Sequence, residues 1–134
     1  MFTQITHQDQ VNRDEMTDQI KDYLSIKDKY PHSLLFYRAG DYYECFFEDA
    51  SVVSDQLELV ITYKRIPDGD RRIIETGIGY HALYKSIETL LHNGYSVIVA
   101  DSSKPKKSII ELDARNKKST LEKLLDLKLL TFMG

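Results

Sequence analysis

The segment LLFYRAGDYYECFFEDA, Leu34 to Ala50, carries the strongest structural signal in this chain. It holds six aromatic residues in seventeen positions, in a chain with nine tyrosines and five phenylalanines. Its first part is an apolar run of strand length, and Gly40-Asp41 is a turn signal. Such a dense group of rings predicts a core, and it leaves open whether one ring points away from the fold to contact a partner.

The segments around this stretch predict alternating helices and strands. Before it, Thr17 can cap a helix that ends at Pro31, and SLLFYR follows as a strand. After the turn, CFFEDASVVSDQLEL has helical spacing and predicts a helix that starts at Cys45. The remaining predicted elements are the buried strand LVITY (59–63), a short strand followed by two glycines in RIIETGIGY (72–80), the helix HALYKSIETLLHNG (81–94) with Gly94 at its end, and the buried strand YSVIVAD (95–101).

This order, α-β-α-β-β-α-β, predicts an α/β fold with a mixed β-sheet of about four to six strands packed with helices. The charged loop KRIPDGDRR lies between two of the strands and predicts a hairpin, which is the one antiparallel step.

Three segments are predicted along the chain. Residues 1–15 are a polar, flexible leader, residues 16–103 form the α/β domain, and residues 104–134 form a basic linker and a C-terminal helix that packs on or extends the domain. This helix has a Ser119/Glu122 capping box and leucines at positions 121, 124, 125 and 129. The leucines can pack on the chain's own sheet, on a protein partner, or on a second copy in a homodimer.

Length and composition indicate one globular domain. The chain has 134 residues, of which 42% are hydrophobic and 29% are charged. Cys45 is the sole cysteine, so an internal disulfide is excluded, as is usual in a reducing compartment. No apolar run reaches the roughly 20 residues of a membrane span, and the first residues do not form a signal peptide. We therefore expect a cytoplasmic protein with no membrane contact.

The charge is unevenly distributed. The net charge of −3 divides into −7 for residues 1–103 and +4 for residues 104–134. Nucleic-acid binders usually carry a basic surface, because neutralising phosphates supplies most of their affinity. In this sequence, the tail (residues 104–134) has an excess of positive charge and residues 1–103 do not.

No catalytic arrangement is recognisable. The chain has no phosphate-binding P-loop, and its histidines and Cys45 lack the spacing of metal ligands, so we predict no metal, no cofactor and no enzymatic activity. Cys45 has apolar neighbours and is interpreted as an inert buried thiol. The carboxylates Asp41, Glu44, Glu48 and Asp49 are typical of the first turn of a helix, where they complement its dipole.

Tyr42 and Glu44 are the pair whose role the pattern leaves open. They flank Tyr43 after the turn, and residues two apart in an extended segment share a face. A ring and a carboxylate that project together can stack on a base and hydrogen-bond to it. In the alternative, Tyr42 packs in the core with its hydroxyl at the rim.

Four blocks of the sequence, in the right order, resemble the N-terminal mismatch-recognition domain of the MutS family of DNA mismatch repair proteins. YLSIKDKYPHSLLFYRAGDYYECFFEDA is similar to the family's opening segment with R-x-G-D-F-Y-E, and LELVITYKR to its L-D-I-x-L-T-x-R strand. TGIGYHAL resembles A-G-I-P-Y-H-A, and LLHNGYSVIVAD resembles the family's helix and last strand. The resemblance runs from Thr17 to Asp101 and implies the fold of MutS domain I.

The resemblance also implies a mode of DNA recognition. In the family, the Phe of G-D-F-Y-E wedges into the duplex and stacks on a mispaired or unpaired base, while the Glu hydrogen-bonds to that base. By position, these roles fall to Tyr42 and Glu44. Three positions depart from the pattern: Tyr42 replaces Phe, Ala39 replaces the usual Met, and Gly79 replaces the usual Pro, which is expected to loosen the turn before His81.

The sequence departs further because none of the family's clamp, lever or ATPase domains follows. We therefore predict a stand-alone module without ATPase activity that binds mismatched or distorted duplex DNA weakly. The alternative is a protein–protein interaction module that kept the fold and lost DNA recognition. The predicted phosphate contacts are Arg38, Lys64, Arg65, Arg71, Arg72, Lys104, Lys106 and Lys107.

Overall fold

The structure, a computed structural model, describes residues 7–66, 72–101 and 108–116, together with 120, 122, 123 and 125. Among the described residues are three helices, six strands and three short 3-10 turns with defined bounds, together with four helical residues of the tail. The helices are α1 (Asp18–Lys29), α2 (Phe47–Leu57) and α3 (Leu83–His92). The strands are β1 (Leu34–Ala39), β2 (Tyr42–Phe46), β3 (Thr62–Arg65), β4 (Arg72–Gly79), β5 (Val97–Asp101) and β6 (Ser108–Leu112), and the 3-10 turns are Gln8–Gln10, Arg13–Glu15 and Tyr80–Ala82.

The strands form one six-stranded sheet in the order β3-β4-β2-β1-β5-β6. β1 pairs with β5 in parallel, whereas β1–β2, β3–β4 and β5–β6 are antiparallel pairs. The predicted α/β fold with a mixed sheet is therefore confirmed, including the β3–β4 hairpin. The expectation of one antiparallel step was wrong, because β2 and β6 add two further antiparallel pairs.

The chain divides into two compact units, of which the first comprises Met1–Pro31 and Cys45–Thr76. Its helix α1 begins as predicted, with the Thr17 side chain accepting a hydrogen bond from the Ile20 N–H. The buried side of α1 includes Tyr23, whose ring meets the Phe46 ring edge-on at 5.0 Å between centroids. This contact belongs to the buried core of the first unit, to which Phe47 also contributes.

The second unit comprises His32–Glu44 and Gly77–Gly134. β5 is buried along its whole length and lies beside β1, with Leu34 opposite Val97 and Phe36 opposite Val99. α3 ends as predicted, because Gly94 takes a φ of +89° just beyond the helix. In both units, buried apolar side chains hold the elements together.

The helix predicted to start at Cys45 starts two residues later, because Cys45 and Phe46 belong to strand β2. Phe46 still has an extended backbone, and α2 begins only at Phe47. Cys45 is therefore a buried strand residue and does not lie at a helix N-terminus. Hairpin pairing with β1 explains the difference, since a cross-strand partner is invisible to helical spacing along the chain.

The strand predicted for residues 59–63 is displaced. α2 ends at Leu57 and its C-cap Glu58 has a left-handed conformation, β3 starts at Thr62, and Val60 is exposed. Within the described sheet, β3 is an edge strand that pairs with β4, so its burial does not follow the apolar run. The expectation of a buried strand here was wrong.

Strand β6 was not predicted. It follows the basic linker and pairs with β5, placing Leu112 opposite Val97. Leu112 is fully buried, so part of the predicted tail contributes to the core of the second unit.

The ends of the chain are described in part. The leader residues from His7 onward form two 3-10 turns, and Arg13 donates to Asp28 on α1 at 2.9 Å. In the tail, Thr120, Glu122, Lys123 and Leu125 are helical. The flexible leader and the domain boundaries stay predictions. The linker residues 102–107 lie outside the described residues, as do Ser119 and the leucines at 121, 124 and 129.

Candidate nucleic-acid interface

The β1–β2 hairpin has a two-residue turn at the predicted position. Ala39 pairs with Tyr42, which leaves Gly40 and Asp41 as the turn. Gly40 has a φ of +62°, as the first turn residue of a type II′ hairpin requires, and glycine adopts this value without strain. The Asp41 carbonyl accepts a hydrogen bond from the Tyr80 N–H at 2.9 Å. A hydrogen bond from the residue that follows β4 therefore stabilises the turn.

Tyr42 points out of the fold at the first position of β2. Its exposed fraction is 59%, so the alternative in which Tyr42 packs in the core is wrong. The neighbouring Tyr43 is buried instead, at 4% exposed. Strand alternation produces this contrast, because consecutive side chains point to opposite faces of a sheet.

Glu44 lies on the same face of β2 as Tyr42. It sits opposite Tyr37 of β1 and is half-buried. The structure thus brings together the ring and the carboxylate that the sequence singled out, with the carboxylate one step further into the sheet.

Arg38 lies on the other face of the hairpin. It pairs with Tyr43 across the strands, and its guanidinium lies 5.8 Å from the centre of the Tyr43 ring and 5.9 Å from that of Tyr80. Its Nε donates to the Gly40 carbonyl at 3.1 Å, and its Nη1 donates to the Asp101 carboxylate at 3.4 Å. Burial raises the pKa of the Tyr43 phenol, and the Arg38 charge opposes that rise.

Two glycines of β4 shape the surroundings of the hairpin. A Cβ at Gly77 would lie 3.1 Å from the Tyr43 carbonyl oxygen and 3.7 Å from the Glu44 Cγ, so glycine permits a close approach of β4 to β2. Gly79 has φ −64° and ψ 149°, the backbone conformation that proline also adopts. The backbone at Gly79 thus has the conformation expected of the family's proline.

Three of the predicted phosphate contacts lie on the β3–β4 hairpin of the first unit. Arg65 and Arg72 are both exposed and directly opposite each other across the two strands. Lys64 is half-buried, with its Nζ 3.5 Å from Gln19 Oε1 and 5.5 Å from the centre of the Phe46 ring. Like charges placed opposite each other repel, and a bound anion would relieve that repulsion. The predicted contacts Arg71, Lys104, Lys106 and Lys107 lie outside the described residues.

Comparison with known sequences identifies the family. The family model described as MutS domain I matches residues 17–127. This chain belongs to the MutS domain I family. The match extends past Asp101, so it includes β6 and part of the segment 104–134 that the sequence predicts as a basic linker and a C-terminal helix packing on or extending the domain.

Similar proteins include DNA mismatch repair proteins MutS from several organisms. This MutS domain I is 43% identical to the protein of Thermosynechococcus vestitus over 98 residues, covering 73% of this chain and 11% of the relative. It is 41% identical to that of Microcystis aeruginosa over 91 residues, covering 68% and 10% of the two chains. It is also 41% identical to that of Synechococcus elongatus over 92 residues, covering 69% and 10%. The chain therefore spans about a tenth of the length of these relatives.

Sequence analysis missed a buried ion pair in the first unit of this MutS domain I. The Lys27 Nζ donates to the Asp49 carboxylate at 2.9 Å, and both side chains are 8% exposed. The Tyr23 hydroxyl donates to the same carboxylate at 3.3 Å, and burial raises the pKa of this phenol well above its ordinary value, with Asp49 adding to the rise. The signal was present, because Lys27 falls on the apolar face of α1 by its spacing.

The surface around this ion pair includes a polar pocket of about 450 Å³. Lys27, Asp49 and the leader residues Gln8 and Gln10 are among those that line it. Glu48 at its edge accepts a hydrogen bond from the Gln8 N–H at 3.2 Å and lies 2.7 Å from His7 Nδ1. Within the described ranges, no group of three or more metal-ligating side chains occurs, and no helix is long and apolar enough to cross a membrane.

Proposed function

We propose that this MutS domain I binds duplex DNA at mismatched or distorted base steps, with Tyr42 stacking on an exposed base. The observation that supports the proposal most directly is the exposure of the Tyr42 ring, 59%, at the turn of a short hairpin. An aromatic ring held outside the core at the end of a strand is available to a base, and stacking contributes about 1–3 kcal/mol per base. A mismatched step costs less to unstack than a paired one, which favours insertion there.

Glu44 adds a hydrogen-bond acceptor on the same face. A base displaced by the ring presents N–H groups on its edge, and a carboxylate two residues along the strand can accept from one of them. Its half-buried position favours a contact at the base edge, while Tyr42 extends further out.

The hydroxyl of Tyr42 opposes insertion. Inside a stack of bases it has to find a partner, and leaving it unpaired costs about 1–3 kcal/mol. We therefore expect weaker discrimination between mismatched and matched duplexes than phenylalanine would give at this position.

Electrostatic attraction to phosphates supplements the stacking. Among the described cations, the exposed Arg65 and Arg72, which lie opposite each other on the β3–β4 hairpin, are proposed to contact phosphates. With two to four phosphate contacts, the logarithm of the affinity should fall against the logarithm of the salt concentration with a slope of about −2 to −4.

Fluorescence anisotropy with labelled duplexes tests the proposal. One duplex is fully paired, a second carries a G·T mismatch and a third carries an unpaired T, each at low and at physiological salt. We expect tighter binding to the two distorted duplexes. Tyr42→Ala should abolish that preference and leave the salt slope unchanged, while Tyr42→Phe should strengthen the preference by removing the hydroxyl.

Tyr63→Ala is the matched control, since Tyr63 on β3 is 54% exposed and the proposal gives it no role. It should retain the preference for distorted duplexes. Equal binding of all three duplexes by the unmodified chain, abolished by salt, would contradict base recognition and leave only electrostatic attraction.

One observation favours the second candidate function, a protein–protein interaction module. Leu125, one of the four leucines of the predicted C-terminal helix, is 59% exposed. An exposed leucine on an amphipathic helix can contact a protein partner or a second copy. In that case Leu125→Glu would remove self-association in analytical ultracentrifugation, and Tyr42→Ala would have no effect on any DNA measurement.

A further inference from the structure

The Arg38 guanidinium forms hydrogen bonds with other groups of this chain. Its Nε donates to the Gly40 carbonyl at 3.1 Å and its Nη1 to the Asp101 carboxylate at 3.4 Å, so two sides of the group are hydrogen-bonded. The planar group also lies near the Tyr43 and Tyr80 rings, at 5.8 and 5.9 Å from their centres. Its side chain is only 29% exposed. These contacts are typical of an arginine that stabilises the fold around it, and not of a surface cation that binds a phosphate.

The strand register separates Arg38 from the residues proposed to contact the base. Arg38 pairs with Tyr43, and Glu44 pairs with Tyr37. Paired residues point to the same side of a sheet and sequence neighbours to opposite sides. Arg38 and Tyr43 therefore share one face, and Tyr42 and Glu44 share the other.

The contacts of Arg38 converge on the turn that precedes Tyr42. Gly40 has a φ of +62°, and its carbonyl accepts a hydrogen bond from Arg38, while the Asp41 carbonyl accepts one from the Tyr80 N–H. Tyr80 itself packs near Arg38 on one side and lies 3.7 Å from the His81 ring, centre to centre. Both carbonyls of the two-residue turn thus accept hydrogen bonds from the same unit, one from the Arg38 side chain and one from the Tyr80 backbone.

A fixed turn matters for an exposed ring. Ordering a mobile side chain or loop on binding consumes part of the interaction energy, so a ring already fixed in position binds more tightly. We infer that Arg38 is a positioning residue that fixes the Gly40–Asp41 turn and thereby holds Tyr42 ready to stack, and that it does not contact DNA phosphates. This inference rests on the proposed function, and it assigns Arg38 a different role from the one that the sequence predicted.

Arg38→Lys separates the two roles, because it keeps the positive charge and loses the planar fork that bonds two acceptors and stacks on rings. If Arg38 positions Tyr42, both Arg38→Lys and Arg38→Gln should lower the preference for distorted over paired duplexes by roughly three- to tenfold. The salt slope should stay that of the unmodified chain, and amide hydrogen exchange measured by NMR should accelerate in residues 39–44.

Asp101→Asn provides an independent variant. It weakens the anchor of Arg38 and should also lower the preference for distorted duplexes. A phosphate contact predicts the opposite, since removing a negative charge near Arg38 would strengthen binding to every duplex. Lys85→Gln, an exposed charge on α3, is the control for charge loss and should change neither the preference nor the hydrogen exchange.

Two results would overturn the inference. In the first, Arg38→Lys behaves like the unmodified chain, while Arg38→Gln weakens binding to all duplexes equally and reduces the magnitude of the salt slope by about one, as loss of a phosphate contact does. In the second, hydrogen exchange in residues 39–44 is unchanged in folded Arg38 variants. If the unmodified chain shows no preference for distorted DNA, the proposed function fails, and the exchange measurement still decides whether Arg38 holds the turn.

Discussion

Tyr42 and Tyr43 are adjacent and chemically identical, yet one is 59% and the other 4% exposed. The difference arises from strand alternation at β2 together with the two-residue turn, which together fix the face to which each ring points. A shift of one residue in the pairing would bury Tyr42 and expose Tyr43. At the scale of single residues, the candidate site therefore depends on the register of the hairpin.

Gly77→Ala tests how closely β4 approaches this hairpin. The new Cβ would lie 3.1 Å from the Tyr43 carbonyl, a backbone atom that moves only with the strand. We expect a loss of about 1–3 kcal/mol in the free energy of unfolding, measured by urea denaturation, since overpacking forces the backbone to shift.

Gly79→Ala is the matched control for that change. A Cβ at Gly79 meets no atom within 4 Å, and its φ of −64° suits any residue. It should leave stability unchanged or raise it by up to about 1 kcal/mol, because alanine has less freedom than glycine in the unfolded chain. Equal stabilities for the two variants would contradict the close approach of Gly77.

At the scale of elements, α1 and the start of α2 are joined by a buried charge pair as well as by aromatic packing. Lys27 and Asp49 are both largely removed from water. The Tyr23 hydroxyl accepts a hydrogen bond from the Phe46 N–H and donates to the same carboxylate. A buried charge without its partner is strongly unfavourable. The pair therefore favours one position of α1 relative to the start of α2 within the first unit.

Removal of one partner should be costly. Asp49→Asn leaves the Lys27 charge buried without its carboxylate, and we expect a loss of about 3–5 kcal/mol in the free energy of unfolding by urea denaturation followed by circular dichroism. The double variant Lys27→Met/Asp49→Asn should be more stable than Asp49→Asn alone, since the unpaired charge is gone.

Glu48→Gln is the neighbouring control for the ion pair. The Glu48 side chain is 42% exposed, so its change should stay within about 0.5 kcal/mol of the unmodified chain. An Asp49→Asn variant as stable as Glu48→Gln would show that the buried pair contributes nothing to the fold.

At the scale of the whole molecule, the fold extends further along the chain than the apolar pattern suggests. β6 pairs with β5 beyond the basic linker, and the family match continues to residue 127. The positively charged segment 104–134 thus contains a strand of the sheet.

Leu112→Ala measures how much this last strand contributes. Leu112 is fully buried on β6, and its truncation should cost about 2–5 kcal/mol in the free energy of unfolding, through lost burial and the cavity left behind. Glu111→Ala on the same strand is exposed and should cost less than about 0.5 kcal/mol. A neutral Leu112→Ala in urea denaturation would show that β6 is dispensable to the core.

Several elements followed from the sequence because their signals are local. Each of these elements is determined by a few consecutive residues that form a cap, a turn or an apolar run. They are the Thr17 cap of α1, the strand before Gly40, the end of α3 just before Gly94, and the buried strand β5. The motif around Gly40-Asp41 likewise indicated the family, and the resemblance directed attention to Tyr42 and Glu44.

Other features were decided only by the tertiary structure, because they depend on partners distant in the chain. β2 and β6 are strands through their pairing with β1 and β5, and β3 takes its register from β4. The burial of Lys27 is stabilised by Asp49 of another helix, and Arg38 is directed away from the face of Tyr42 by the strand register and by Asp101. Hydrogen bonds and charge pairs between segments supply these constraints, and no local pattern of residues contains them.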